Sequence, residues 1–214
     1  MKSLMAIYDT LYTHYGNLNW WPAKSPYEVI VGAVLVQNTA WGNVEKAITN
    51  FADNLNPETI TKIDIDNLKD IIKPAGFFNQ KALYLKAITE WFAGYSFDTA
   101  IVVKEPMDKI RSELLSTKGI GKETADAILL YAFGFPSFVI DAYTIRLCSR
   151  IPIDIGNGYD IAKAYFENNI PKSIEIYNNF HALIVINAQQ HCRKKPLCQG
   201  CPLVNICDFN EASL

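Results

Sequence analysis

Apolar residues along this chain recur at helical spacing, and few segments alternate as a half-buried strand would. Near the N-terminus Leu4, Ile7, Tyr8, Leu11 and Tyr15 mark one face of a helix that Asp9 interrupts. Asn56-Pro57-Glu58 has the form of a cap, a first-turn proline and a first-turn acid. Asp66 is expected to cap a short helix that stops at Pro74 and Gly76, and Leu85, Ile88 and Phe92 give the next helix its stripe before Gly94. Residues 107–116 and 122–133 read as two helices joined by the tight turn Lys118-Gly119-Ile120-Gly121, the second ending at Gly134. Further helices are expected at about 142–149, 158–170 and 173–190, with Pro171 between the last two. The pattern predicts an all-α chain without internal repeats, low-complexity tracts or long linkers.

Composition narrows this picture only a little. The 214 residues are 50% hydrophobic and 20% charged, a globular profile that argues against disorder. The length fits one domain or two small ones. No stretch reaches the roughly 20 apolar residues that cross a bilayer, and the amphipathic N-terminus does not resemble an export signal, so a cytoplasmic protein is expected. A net charge of −2 counts against a surface that is basic throughout, so any nucleic-acid contact has to be local. Lys118 with Lys122, Arg146, and the run Arg193, Lys194 and Lys195 are candidates, although isolated charges commonly serve only as a solvated face.

Two glycines one residue apart stand immediately before a helix in KGIGKETADAILLYA. Gly119 and Gly121 permit positive φ and close approach, so the amides of 119–122 can converge on an anion at a helix N-terminus. A DNA phosphate suits that position, with Lys118 and Lys122 adding charge, yet helix pairs also turn on glycine for packing alone. Beyond the hairpin, Gly134, Pro136 and the apolar run Phe138-Val139-Ile140 lead to Asp141. At this point KGIGKETADAILLYAFGFPSFVIDAYTIRL resembles the helix-hairpin-helix glycosylase superfamily typified by endonuclease III, and the resemblance extends over nearly the whole chain. It implies two helical domains: a barrel with the hairpin at about 21–136, and a second domain made of 1–20 plus 137–214.

Four of the five cysteines, Cys192, Cys198, Cys201 and Cys207, follow a C-x5-C-x2-C-x5-C spacing. A disulfide framework is a poor account of such a cluster in a cytosolic chain, and a metal a better one. Zinc ribbons commonly join two separate C-x2-C knuckles, whereas one such pair flanked by single cysteines suits a compact loop around a 4Fe-4S cluster. The endonuclease III family carries a similar loop, usually with six residues in the first interval where this chain has five. The fifth, Cys148, falls on an apolar helix and reads as core.

Removing a base from DNA breaks an N-glycosidic bond through a transition state with positive charge on the sugar. A nearby carboxylate stabilises that charge and can orient or deprotonate water. The resemblance assigns this catalytic role to Asp141, which can also cap the helix that begins at Ala142. Bifunctional members of the family attack the sugar with a lysine just before a Thr-Ala pair. Glu123 stands before Thr124-Ala125 here, and a carboxylate cannot form the imine that β-elimination requires. Lys122 is one helical residue away and faces elsewhere. The expectation is a monofunctional glycosylase.

The flipped base must be held and its place filled. By the same resemblance Gln37, after one helix, fills the vacated site, and Phe77 in GFFNQKA is a second wedge or packs in the barrel. Trp20, Trp21 and Trp41 belong to segments the family arranges around its base pocket, although a packed domain interface is the other reading for the Trp20-Trp21 pair. Trp20-Trp21-Pro22 with Gln37-Asn38-Thr39 is similar to a 3-methyladenine branch of the superfamily, whose pattern lacks the cysteine loop. Alkylated purines carry positive charge and stack well on indole. The sequence therefore implies a monomer that acts on double-stranded DNA with a damaged base. An endonuclease III-like glycosylase and lyase for oxidised pyrimidines, or a non-catalytic iron–sulfur DNA-binding protein, are the competing readings.

Overall fold

The computed structural model describes residues 3–18 and 20–209 and contains no strand among them. It divides into two compact units, Ala23–Phe135, and Met1–Pro22 together with Pro136–Leu214. Helix α1 (Leu4–Tyr15) opens the discontinuous unit; Ser3 caps it by accepting from the Ala6 amide, and Leu4, Ile7 and Leu11 form its buried face.

The 23–135 unit is organised around α2 (Pro26–Leu35), which is buried nearly all round. Such a helix can be satisfied only by neighbours on every side. These are α3 (Trp41–Thr49), α6 (Phe78–Ala93), α9 (Lys122–Ala127) and the π-helical segment Ile128–Ala132. The short helices α4 (Pro57–Lys62) and α5 (Ile65–Ile72) pack against α6, and Asn56 caps α4. The α5 cap is Asp64, whose carboxylate accepts from the Asp66 amide, so Asp66 lies inside the first turn and does not cap the helix as expected. Either acid of Asp-Ile-Asp could have stopped the chain; the extended backbone of Asp64 decides. Pro74 lies within a 3-10 turn, Lys73–Ala75, before Gly76. Helix α7 (Thr99–Val102) precedes α8 (Met107–Ser116), and the α8–α9 hairpin is clamped by a bidentate pair in which Arg111 Nε and Nη2 donate to Asp126 at 2.9 and 3.0 Å. The second hairpin helix is expected to run unbroken to residue 133, but it widens into the π-helical segment, where the Phe133 amide reaches back to the Ile128 carbonyl at 3.3 Å.

In the other unit α10 (Ala142–Arg150), α11 (Tyr159–Asn169) and α12 (Ile174–Gln190) complete the framework, with α1 and α10 both packed on α12. Phe138 stacks on Phe166 at 4.5 Å and meets Tyr177 and Phe180 edge-on. Two asparagines of α12 tie down the N-terminal segment: Asn179 Oδ1 accepts from the Leu18 amide, and Asn187 Oδ1 from the Tyr15 hydroxyl. Cys148 is buried, and its thiol is pushed up to about 12 by that burial, as a core residue requires.

Among the described residues no helix is long and apolar enough to cross a membrane. The charged clamp of the hairpin has a measurable consequence, because Asp126 is 0% exposed in its side chain while Arg111 is 21% exposed. Removing one partner of a buried pair leaves the other charge without its counter-ion. Arg111→Ala should lower the stability seen in urea denaturation by about 3 kcal/mol; a change within about 0.5 kcal/mol would mean that the clamp holds nothing.

Candidate active site

The Phe138-Val139-Ile140 run is extended and cannot satisfy its own amides. Side chains of α11 do this instead: Glu167 Oε1 accepts from the Phe138 amide at 2.9 Å, and the Tyr159 hydroxyl accepts from that of Ile140 at 3.4 Å. Lys163 is bonded to the same Glu167 oxygen. Held in this way, the run delivers Asp141 to the N-cap of α10. Asp141 Oδ1 accepts from the Thr144 amide at 2.7 Å and from its hydroxyl at 2.8 Å, while Oδ2 faces His181 Nε2 at 3.4 Å.

Asp141 is 8% exposed, and burial works to raise its pKa. The nearby His181 ring and the two Thr144 donors act in the opposite direction and prevail, leaving the carboxyl below its ordinary range. The site therefore holds a desolvated carboxylate that stays ionised. His181, on α12, was missed in the sequence. It lies forty positions from Asp141 on an apolar helix, where a lone histidine gives no local signal of its partner.

In the other unit the hairpin has the form its glycines require. Gly119 has φ +83, and a Cβ there would sit 2.1 Å from the Tyr84 ring, so a side chain is excluded by both conformation and space. Gly121 caps α9 at φ −87 with open space around its Cα. Lys118, Gly121 and Lys122 are exposed. Gln37 is joined to this hairpin: its Nε2 donates to the Gly119 carbonyl at 3.0 Å and to the Thr124 hydroxyl at 2.9 Å. Phe77 is 63% exposed in a left-handed conformation, φ 47, and so is not part of the barrel packing.

Trp41 Nε1 donates to Glu45 one turn along α3. The Trp20 and Trp21 rings meet edge to face at 6.4 Å, and among the described residues the buried Trp20 indole N–H has no hydrogen-bond partner. Glu123 is exposed in the first turn of α9. Arg146, one of the candidate charges for a phosphate, donates through Nε to the Cys192 carbonyl at 2.7 Å.

Cys192, Cys198, Cys201 and Cys207 line one pocket with Arg150, His191, Leu197 and Phe209. Arg150 straps the loop to the end of α10. Its Nη1 donates to Cys192 Sγ at 3.1 Å and to the Arg193 carbonyl at 2.7 Å, its Nη2 donates to the Lys194 carbonyl at 3.1 Å, and its guanidinium lies over the Phe209 ring. Burial first, and then the neighbouring thiols, push Cys201 and Cys207 up. Among the described residues no three His, Cys, Asp or Glu are grouped to hold a metal ion.

Residues 31–172 match the HhH-GPD superfamily of base excision DNA repair proteins. MJ1434 of Methanocaldococcus jannaschii, whose name assigns it to the DNA repair glycosylases, is 49% identical over 211 residues, 96% of each chain. Endonuclease III of Sulfolobus acidocaldarius is 28% identical, covering 87% of this chain and 83% of its own. Among solved structures, the 3-methyladenine DNA glycosylase (MagIII) of H. pylori bound to 1,N6-ethenoadenine is 30% identical with a TM-score of 0.76, covering 88% of this chain and 98% of its own. The all-helical fold, the glycine hairpin and the carboxylate at the head of α10 agree with these likenesses: the chain belongs to the HhH-GPD superfamily and is a DNA glycosylase of the endonuclease III kind, an enzyme that cleaves glycosyl bonds.

Proposed function

We propose that this enzyme hydrolyses the N-glycosidic bond of a damaged base flipped from double-stranded DNA, that it does not cut the strand, and that its substrates are alkylated purines such as 3-methyladenine. The observation that carries this reading is the ionised, buried carboxylate of Asp141. As the bond between C1′ and the base nitrogen lengthens, positive charge gathers on the deoxyribose, and a desolvated carboxylate stabilises it more than one in water would. Water then adds to C1′, and Asp141 takes its proton while the bonding electrons leave with the base. An alkylated purine already carries the positive charge that this electron pair neutralises, so no further activation is needed.

In this account Lys118, Gly119, Gly121 and Lys122 receive a backbone phosphate, Gln37 and Phe77 enter the duplex, and Trp20, Trp21 and Trp41 offer indole faces to the base. The open space at Gly121 and the exposure of Phe77 support those roles. Glu123 in place of a lysine supports hydrolysis without an imine. The likeness to an ethenoadenine-bound 3-methyladenine glycosylase supports the substrate class.

The donor set of the cysteine loop supports a 4Fe-4S cluster: four thiols line one pocket with a guanidinium, the His191 imidazole and apolar side chains but no carboxylate. Cys192, Cys198, Cys201 and Cys207 would hold it, and the cluster would supply a structural crosslink that fixes the loop. Arg193, Lys194 and Lys195 of that loop then stand toward solvent, where a DNA backbone can be met. The endonuclease III relatives favour a second reading, a glycosylase and lyase for oxidised pyrimidines.

Both readings are separated by duplexes that each carry one damaged base, scored for base release and for covalent trapping by borohydride. The expected result is release of alkylated purines without trapping, with Asp141→Asn slower by about a hundred- to ten-thousand-fold. Efficient trapping, or release confined to oxidised pyrimidines, would replace this reading with the second. The pH dependence follows from the donors around Asp141. Because its pKa is depressed, the wild-type rate should not fall between about pH 7 and about pH 5. His181→Ala removes a lowering influence while burial continues to raise the pKa, so an acidic limb should rise into that window. An unchanged profile in a folded His181→Ala protein would remove His181 from the account.

A further inference from the structure

Lys81, on α6, is 2% exposed, and among the described residues its ammonium meets no carboxylate. It donates instead to two backbone carbonyls, Leu35 O and Ala75 O, each at 2.8 Å. The Phe77 ring centroid lies 5.9 Å from the same nitrogen. With two of its three protons on carbonyls and the side chain 2% exposed, the ammonium is not placed to meet a phosphate or a sugar.

The positions of the two carbonyls give the lysine its meaning. Leu35 is the last residue of α2, where carbonyls lack helical partners and the helix dipole is negative. Ala75 ends the 3-10 turn before Gly76. Gln37 follows the first carbonyl by two residues, and Phe77 follows the second by two. Each loop also contains a non-glycine residue in the left-handed region: Asn38 at φ 54 and Phe77 itself at φ 47. Such backbone persists only where its surroundings hold it, and the tie at the root of both loops is the same ammonium. Gln37 continues the line, since its amide is bonded to the hairpin at Gly119 and Thr124.

We propose that Lys81 is a positioning residue for base extrusion, joining the Gln37 and Phe77 loops at their roots so that both probes enter the duplex as one rigid unit. This rests on the reading of Gln37 and Phe77 as the residues that enter DNA. A lysine that served only the fold would affect every substrate alike. One that coordinates the two probes matters only when a base has to be driven out of the stack.

The test compares single-turnover release of 3-methyladenine, the cationic lesion of the proposed function, from two duplexes, one with the lesion paired and one with it bulged and already unstacked. Lys81→Met keeps the length and apolar stem of the side chain and removes its donors. It should slow release from the paired duplex at least tenfold and from the bulged duplex less than twofold. Adding Phe77→Ala should cost little more than Lys81→Met does alone, whereas independent roles would multiply. Lys81→Arg, which can still donate to both carbonyls, should recover most of the paired-lesion rate. If Lys81→Met fails to melt cooperatively by circular dichroism, Lys81→Gln, whose shorter side chain cannot reach both carbonyls, carries the same comparison. Equal losses on both duplexes, or no loss on either, would overturn the proposal while leaving the glycosylase reading intact. Wild-type protein that releases 3-methyladenine from neither duplex would overturn the alkylated-purine reading, and this inference with it.

Discussion

A carboxyl group buried to the extent of Asp141 would ordinarily take up a proton, and its pKa is held down here because Thr144 directs two donors at it and the His181 ring lies 3.4 Å away. The same contacts that stabilise the charge also terminate a helix. Thr144 contributes the amide that caps α10, a contact worth about 1 kcal/mol, so the bond that starts the helix also fixes Asp141. Structure and chemistry are thus supplied by one set of hydrogen bonds. The extended run before Asp141 serves the same end, since Glu167 and Tyr159 satisfy amides that would otherwise leave that segment free to move.

The 23–135 unit applies a similar economy to its loops. Glycine is required at residue 119, where the Tyr84 ring leaves no volume for a methyl group, while the backbone around Gly121 is open. One position is closed by the protein itself and the other left accessible. Arg111 and Asp126 hold the two hairpin helices, Gln37 ties the loop after α2 to the hairpin, and Lys81 ties that loop to the one bearing Phe77. Polar contacts of this kind are costly to bury, and they pay for themselves in fixed geometry at exposed loops.

Much of this was legible in the sequence wherever the signal is local. The helix at 107–116, the glycine turn after it and the cap at Asn56 depend on neighbours within a few residues, and they stand where periodicity and punctuation put them. What escaped is what depends on distance. His181 is tied to Asp141 by packing alone, and Lys81 sits in a helical segment where a lysine reads as an ordinary solvated position. The π-helical segment at Ile128–Ala132 contains no glycine or proline to announce it. Asp64 and Asp66 are equally good caps by residue type, and only the backbone distinguishes them. Arg146 also bonds through Nε to the Cys192 carbonyl, a partner forty-six positions away that the sequence does not announce.

The central claim is that the Asp141 carboxylate recognises positive charge at the sugar. Its most direct measurement is the affinity for duplexes that carry a cationic pyrrolidine abasic nucleotide, set against the neutral tetrahydrofuran analogue of the same shape. Wild-type protein should prefer the cation by at least about tenfold, or about 1.4 kcal/mol, and Asp141→Asn should lose that preference. Equal binding of the two analogues by wild-type protein would contradict the account.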